Sequence, residues 1–216
     1  MRFYVFLLGR PGCGKSEVWR NLKEFFEKEN IAHSFSRVDD FPILNSWKEE
    51  DFKRNIFTHF KPTPDGGFKV IDEDVWDELL RRLNEKIKKI DVDILAIEFA
   101  RKNYTTSLKI FSPEVISKSI IVYIDAPFEV CWKRNMERVK RMREHGIDAH
   151  FVSKKEMKET YLYDDKEDLI KEFKDRIVVI KNDKETTKED LKREVYKIVK
   201  KVKEFYERVN KKVTEG

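Results

Sequence analysis

The chain has 216 residues, of which 40% are hydrophobic and 40% charged, and its 46 Lys+Arg and 41 Asp+Glu leave a net charge of +5. Disordered chains combine a large net charge with few aromatic residues, so the near-balanced charge and 16 phenylalanines exclude that class, and the length suits one domain. No apolar stretch reaches the roughly 20 residues of a membrane helix and no signal peptide is evident, so we expect a cytoplasmic protein without a membrane partner.

Short β-rich stretches alternate with helical patterns, which is typical of βαβ units around a mostly parallel sheet. The candidate strands cover residues 3–8, 33–38, 93–98, 119–125 and 176–181. Apolar residues at helical spacing predict a helix after the first strand, another over 74–90, and a last one that begins near Thr187. We therefore predict an α/β fold with a doubly wound, mostly parallel five-stranded sheet and helices on both faces.

A long insertion, about residues 42–72, separates the second and third candidate strands. Its turn cluster, Pro62-Thr63-Pro64-Asp65-Gly66-Gly67, predicts a hairpin or a mobile loop. The insertion carries no motif that identifies a ligand, and we expect it to contain the determinants of ligand specificity. The two cysteines and four histidines show no metal-ligand spacing, so the sequence does not indicate a metal bound by the protein alone.

A phosphate-binding motif follows the first candidate strand directly. The residues Gly9-Arg10-Pro11-Gly12-Cys13-Gly14-Lys15-Ser16 match G-x-x-x-x-G-K-[ST] between a strand and a helix, which is the context that the mechanism requires. Glycines let backbone N–H groups approach a phosphate, and a helix N-terminus attracts anions. Lys15 is expected to reach the β- and γ-phosphates, and Ser16 to bind Mg²⁺.

This loop resembles that of adenylate kinases and related P-loop small-molecule kinases, and the resemblance extends loosely over the whole chain. It implies the P-loop NTPase fold with a mobile helical lid, ATP and Mg²⁺ as cofactors, and phosphoryl transfer to a small-molecule acceptor. Nucleosides and nucleotides are favoured over other metabolites as that acceptor. We expect one kinase-like domain over residues 1–216, in which the basic segment 131–158 is the lid.

Two carboxylates follow the second candidate strand, at the sheet edge where ligands of open α/β folds bind. The segment Asp39-Asp40-Phe41 resembles the Asp-x-Phe element of uridine and pantothenate kinases, with the match on Asp39 and Phe41. The resemblance implies that Asp39 contacts the acceptor hydroxyl, and we expect Asp40 and Phe41 to contribute to acceptor binding. The alternative is that both carboxylates only cap a loop.

Glu98 ends the third candidate strand after four apolar residues, a position that is costly for a carboxylate unless it faces a polar site. We expect Glu98 to bind Mg²⁺ through water or to act as general base. Arg101 resembles in position an arginine with which nucleotide kinases bind phosphates, although Glu98-Phe99-Ala100-Arg101 matches neither Asp-Gly-x-Pro-Arg nor Glu-Arg-Ser. The alternative is a salt-bridged pair of Glu98 and Arg101 at the strand end.

The segment 131–158 holds nine Lys+Arg and four acidic residues, and this difference of +5 equals the net charge of the chain. Arg134, Arg138 and Arg141 recur at i, i+4 and i+7, so they share one helix face. The arrangement resembles the lid helix of nucleoside and nucleotide kinases, whose arginines clamp the transferring phosphoryl group. The alternative is a solvated basic face.

Features after the lid helix complete the comparison with these kinases. Gly146 is a predicted hinge, and Ser153 with Glu156 is a predicted capping box. Asp164-Asp165 is a predicted cap of the following helix, and the alternative is that the pair approaches the site. The Asn182-Asp183 loop lies where the family packs adenine.

Two other function classes stay open. One is a nucleotide-hydrolysing switch or regulatory NTPase, although Lys181-Asn182-Asp183 has the wrong order for the Asn-Lys-x-Asp motif of GTPases. The other is a kinase of nucleic-acid ends, but the basic excess is confined to one lid-sized stretch, which argues against a nucleic-acid partner. The sequence carries no signal for an oligomeric state.

Overall fold

Strands and helices alternate along the computed structural model, which describes residues 2–64, 67–145 and 154–214. The strands are β1 (Phe3–Leu8), β2 (Phe35–Asp39), β3 (Phe60–Pro62), β4 (Phe68–Val70), β5 (Ile94–Glu98), β6 (Ser119–Asp125) and β7 (Ile177–Lys181). The helices are α1 (Lys15–Lys28), α2 (Phe41–Lys53), α3 (Asp74–Lys88), α4 (Tyr104–Leu108), α5 (Pro113–Ser117), α6 (Phe128–Glu144), α7 (Lys154–Tyr161), α8 (Lys166–Phe173) and α9 (Lys188–Thr214).

Within the described residues, five strands form a parallel sheet in the order β2-β5-β1-β6-β7. Every residue of the central strand β1 is buried, as is usual for a parallel strand covered on both faces. The register pairs Glu98 of β5 with Leu7 of β1 and with Asp39 of β2. These strands therefore end at the same edge of the sheet, directly beside the loop that follows β1.

Helices cover both faces of this sheet, which confirms the predicted fold class. Alternate residues of β1 belong to different apolar clusters, because successive side chains of a strand point to opposite faces. Val5 belongs to the cluster that includes α1 and α9, whereas Phe6 belongs to the cluster that includes α3, α4 and α8. None of the helices in the described ranges is both long and apolar enough to cross a membrane.

The insertion between β2 and β5 contains α2 and a hairpin. Strands β3 and β4 pair antiparallel, with Phe60 opposite Val70, and the Thr63 N–H donates to the Gly67 carbonyl at 3.0 Å. This pairing is the hairpin that the turn cluster predicts, and residues 65 and 66 of that cluster lie outside the described ranges.

Helix α2 is only weakly amphipathic and was not predicted from the sequence, although Asp40 at its N-cap and Pro42 in its first turn are a helix-start signal. Among its buried residues are only one aliphatic side chain, Leu44, and the carboxylate Asp51. Asp51 accepts hydrogen bonds from the backbone N–H groups of His59 and Phe60, both at 3.2 Å, and thereby fixes the start of the hairpin.

The predicted lid corresponds to α6 and α7. The predicted hinge Gly146 and the first residue of the predicted capping box, Ser153, lie outside the described residues, and the side chain of Glu156 is not described.

Candidate nucleotide and acceptor site

The candidate site lies at the carboxyl ends of β1, β2 and β5, around the loop of residues 9–16. The loop turns tightly: Gly12 has φ +82° and Gly14 has φ +106°. A Cβ atom would lie 2.4 Å from the Cys131 carbonyl oxygen at Gly12 and 2.3 Å from the Asn182 Nδ2 at Gly14. The loop therefore needs glycine at both positions. Helix α1 starts at Lys15, within the loop, and the first N–H groups of a helix generally lack intrahelical partners.

Asn182, in the loop after β7, holds the phosphate-binding loop from one side. Its buried side-chain amide donates to the Cys13 carbonyl at 2.7 Å, and its backbone N–H donates to Asp125 O at 2.9 Å. The sequence analysis singled out this loop but assigned no role to its side chains, because no local pattern links two residues so far apart in sequence.

Arg10 and Tyr104 hold the other side of the loop. Arg10 donates from Nε to Tyr161 O at 2.7 Å and from Nη2 to Leu162 O at 3.2 Å, and it pairs with Asp164 at 3.4 Å. The Tyr104 hydroxyl accepts from the Gly9 N–H at 3.1 Å. The side chain of Arg10 thus joins the loop to the segment after α7. The backbone of Arg10 is therefore the part of this residue that is suited to phosphate binding.

Lys15 lies buried inside the loop. Its Nζ donates to Gly9 O at 2.8 Å and to Arg10 O at 3.1 Å. Burial lowers the pKa of Lys15, but the surrounding acidic groups, Cys13, Glu98, Asp39 and Asp40, together raise it by more. The net shift is upward, so the ammonium group is charged at neutral pH, as phosphate binding requires.

Ser16 and Glu98, the two predicted Mg²⁺ ligands, are brought together by a residue that the sequence analysis missed. Arg37 of β2 donates from Nη1 to Ser16 Oγ and to Glu98 Oε2, both at 3.0 Å. Burial raises the pKa of Glu98, and the charges of Lys15 and Arg37 oppose that shift. The period of two along a strand, which puts Arg37 on the same face as Asp39, is the signal that could have found it.

Asp39 ends β2 directly beside Glu98 of β5. One oxygen of its carboxylate accepts from the Phe41 N–H at 2.9 Å, which fixes the turn into α2, and the Phe41 side chain is partly exposed. The hydrogen bond to the Phe41 N–H agrees with the alternative in which Asp39 caps a loop. The position of Asp39 beside Glu98 also suits contact with an acceptor molecule.

Asp40 and Arg101 form a buried ion pair of 2.8 Å. The Arg101 guanidinium also lies 4.9 Å from the ring centre of Trp76, which covers it from α3. Burial raises the pKa of Asp40 to about 6 even though Arg101 opposes the shift. The alternative pairing of Glu98 with Arg101 is wrong, because Glu98 pairs with Arg37 and Arg101 turns toward α2 and α3.

The three arginines of α6 have different surroundings. Arg134 donates to Asn182 O at 3.0 Å and to Asp183 O at 2.9 Å, whereas the charge of Arg138 lies close enough to Glu98 to lower its pKa, against the larger effect of burial. Arg141 donates to Glu137 O of its own helix at 3.3 Å. The three arginines therefore do not converge on one point: Arg134 contacts the 182–183 loop, and three residues at this spacing extend along two turns of helix. A joint clamp on a phosphoryl group stays a prediction.

Asp164 and Asp165 are both structural, but Asp165 does not cap the helix that follows it. Its carboxylate accepts from the N–H groups of Tyr104 and Thr105, at 2.6 and 2.8 Å, and so caps the N-terminus of α4. Asp164 accepts from the Tyr123 hydroxyl at 2.5 Å and pairs with Arg10. It also accepts from the N–H of Lys166, the first residue of α8, at 3.2 Å, so the predicted cap of the following helix comes from Asp164.

The donor set around Ser16 suits Mg²⁺ that is held together with nucleotide phosphates. A hydroxyl and the carboxylates of Glu98 and Asp39 are hard oxygen ligands, and Mg²⁺ generally uses only one or two carboxylates beside phosphates and water. Among the described residues no group of three or more His, Cys, Asp or Glu could hold a metal ion alone. The residues present thus fit a cation delivered with a nucleotide.

Among the comparisons with known proteins, the solved structures support the fold. No protein-family model matches the sequence, and no curated protein is significantly similar to it. Among solved structures, a gluconokinase from Sinorhizobium meliloti matches with a TM-score of 0.53 and 14% identity, covering 98% of this chain and 99% of its own. A sugar kinase from Janibacter sp. matches with a TM-score of 0.52 and 15% identity, covering 95% of this chain and 98% of its own.

The APS kinase from Mycobacterium tuberculosis, solved with AMPPNP and APS, matches with a TM-score of 0.50 and 14% identity over 92% of this chain and 98% of its own. The chain thus has the fold of the P-loop small-molecule kinases along almost its whole length, as the phosphate-binding loop predicts.

Proposed function

We propose that this protein is an ATP- and Mg²⁺-dependent kinase of a small molecule, with nucleosides and nucleotides as the first acceptors to test. The observation that carries the proposal is the convergence of Lys15 and Ser16 with the carboxylates of Asp39 and Glu98 at one edge of the sheet. Phosphoryl transfer needs this combination of positive charge, a metal-binding hydroxyl and a carboxylate near the acceptor oxygen.

Each group has a role in this proposal. The loop backbone and Lys15 hold the β- and γ-phosphates, while Ser16 and Glu98 hold Mg²⁺, which neutralises phosphate charge. Asp39 accepts the proton of the acceptor hydroxyl, with Glu98 as the alternative base. Arg138 and Arg141 stabilise negative charge on the transferring group. Arg134 positions the 182–183 loop against the adenine base of the nucleotide.

The acceptor region consists of four other features in this proposal. Asp40 and Arg101 bound it from the ends of β2 and β5, Phe41 lies at the start of α2, and the insertion from about 42 to 72 confers specificity. The segment 131–158 closes over the donor as a lid, and the whole chain acts as one domain in the cytoplasm. Its partner is a small metabolite rather than nucleic acid.

The test is transfer of labelled γ-phosphate from ATP and Mg²⁺ to a panel of nucleosides, nucleotides, sugars including gluconate, APS, vitamins and a short oligonucleotide. Lys15→Ala is expected to lower transfer by about 100-fold or more, because it removes a charge aimed at the transferring group. Lys23→Ala, an exposed lysine of the same helix, is the matched control and should transfer normally.

A labelled metabolite lost only in Lys15→Ala would establish the kinase and its acceptor class. Labelled inorganic phosphate alone, with every acceptor, would contradict the proposal and favour a hydrolysing switch. Label on the oligonucleotide would favour a kinase of nucleic-acid ends.

A further inference from the structure

The Arg37 guanidinium bridges the two side chains that the proposed function assigns to Mg²⁺. A single nitrogen, Nη1, lies 3.0 Å from Ser16 Oγ and 3.0 Å from Glu98 Oε2. Ser16 comes from α1 and Glu98 from β5, so this one cation connects the phosphate-binding loop to the neighbouring strand.

The position of Arg37 follows from its strand. It lies two residues before Asp39 and therefore projects from the same face of β2, toward α1. Because β2 is an edge strand of the described sheet, the Arg37 side chain keeps 30% of its surface exposed, whereas that of Glu98 keeps 10%. A mostly buried carboxylate needs a positive partner, and Arg37 supplies it from the open side of the sheet.

We propose that Arg37 and a nucleotide-bound divalent cation compete for Ser16 Oγ and Glu98, so that Arg37 withdraws when the cation binds. The inference rests on the proposed function, since it assumes that the loop binds a nucleotide. Mg²⁺ contacts its oxygen ligands at about 2.1 Å. A guanidinium nitrogen that stayed hydrogen-bonded to the same oxygen would be repelled by the divalent charge at close range.

The competition sets the Mg²⁺ concentration that the protein requires. Displacing Arg37 breaks two hydrogen bonds, one of them to a charged carboxylate, and this cost weakens cation binding. The flexible, partly exposed arginine can move into solvent, whereas the protein oxygens are fixed by α1 and β5. Arg37 thus acts as a positioning residue that holds the two ligands in place and raises the concentration at which the cation replaces it.

The experiment is a calorimetric titration of Mg²⁺ into ADP-saturated protein that was first freed of metal. Arg37→Gln should lower the half-saturating Mg²⁺ concentration about tenfold, the equivalent of one hydrogen bond to a charged group. Arg37→Lys keeps the charge and should stay closer to wild type than Arg37→Gln does. Arg20→Gln, which removes an exposed arginine of α1, should leave the titration unchanged.

The outcomes separate this inference from the proposed function. Half-saturation in Arg37→Gln at the wild-type concentration or above would overturn the competition, whereas failure of the wild type to bind ADP at all would overturn the proposed function. If Arg37→Gln does not fold, ¹⁵N NMR of the wild type replaces it. Solvent exchange of the Arg37 guanidinium protons should accelerate when Mg²⁺ is added to the ADP complex, and unchanged exchange would overturn the inference.

Discussion

The hydrogen bond from Asn182 Nδ2 to Cys13 O ties two buried polar groups 169 residues apart. A buried carbonyl that loses such a partner is costly, because the carbonyl has already given up its hydrogen bonds to water. The oxygen of the Asn182 side-chain amide, Oδ1, accepts from Arg134 at 3.4 Å, so Asn182 also joins α6 to the phosphate-binding loop.

Replacing Asn182 with alanine should therefore destabilise the protein and weaken nucleotide binding together. We expect the free energy of unfolding to fall by about 1–3 kcal/mol, the cost of an unsatisfied buried acceptor. Urea unfolding with and without ADP and Mg²⁺ measures both effects. Asn45→Ala, which removes a more exposed amide on α2, is the control, and equal stability of the two variants would show that the Asn182 contact is not stabilising.

Helix α4 is only five residues long and has little internal hydrogen bonding to keep it folded. Its N-terminus is capped across space by Asp165, which accepts from two backbone N–H groups and from the Thr105 hydroxyl at 2.6 Å. The cap matters beyond the helix because Tyr104, the first residue of α4, accepts from the Gly9 N–H of the phosphate-binding loop.

Asp165→Ala is expected to cost about 1–2 kcal/mol of stability, at the upper end for loss of an N-cap because several donors lose their acceptor at once. Chemical unfolding measures this cost. The matched control is Asp168→Ala, which removes an exposed carboxylate of α8. A similar stability for both variants would contradict the capping role.

The sheet, its flanking helices and the phosphate-binding loop could be predicted from the sequence. The periodicity of apolar residues, the helix-capping residues and one local motif encode them. Strand Phe3–Leu8, for example, has the predicted bounds, and Lys15 follows the loop glycines as the motif requires. Helix α2 escaped prediction because tertiary contacts stabilise it more than its own amphipathic pattern. The strand period places Arg37 on the same face as Asp39, but neither its partners nor those of Asn182 could be predicted, because they come from other strands and loops and single-sequence patterns do not report contacts across the fold.

The overall stability should carry a distinct pH dependence from Asp40. Burial raises the pKa of this carboxyl from 3.8 to about 6 in the folded protein, against the effect of Arg101. Between about pH 4 and pH 6 the folded state therefore retains a proton that the unfolded state has lost. Its contribution to the free energy of unfolding should fall by about 3 kcal/mol as pH rises through this window, and stay level above it.

Asp40→Asn isolates this contribution, because asparagine keeps the shape of the carboxyl group but has no proton that titrates over this range. Urea unfolding of wild type and variant at pH 4, 5, 6 and 7 gives the difference between them. The free energy of unfolding of the wild type minus that of Asp40→Asn should decline as pH rises. A difference that instead grows with pH would mean that Arg101 outweighs burial and that the carboxyl is ionised throughout.

The contacts of the phosphate-binding loop also impose an order on folding during synthesis at the ribosome. The central strand β1 is made first, yet it pairs with strands that begin at Ile94 and Ser119. The loop that follows β1 gains its Tyr104 contact when about half of the chain exists, and its Asn182 contact only after β7 has emerged. A nascent chain therefore carries the complete glycine-rich loop long before the contacts that hold this loop in shape can form.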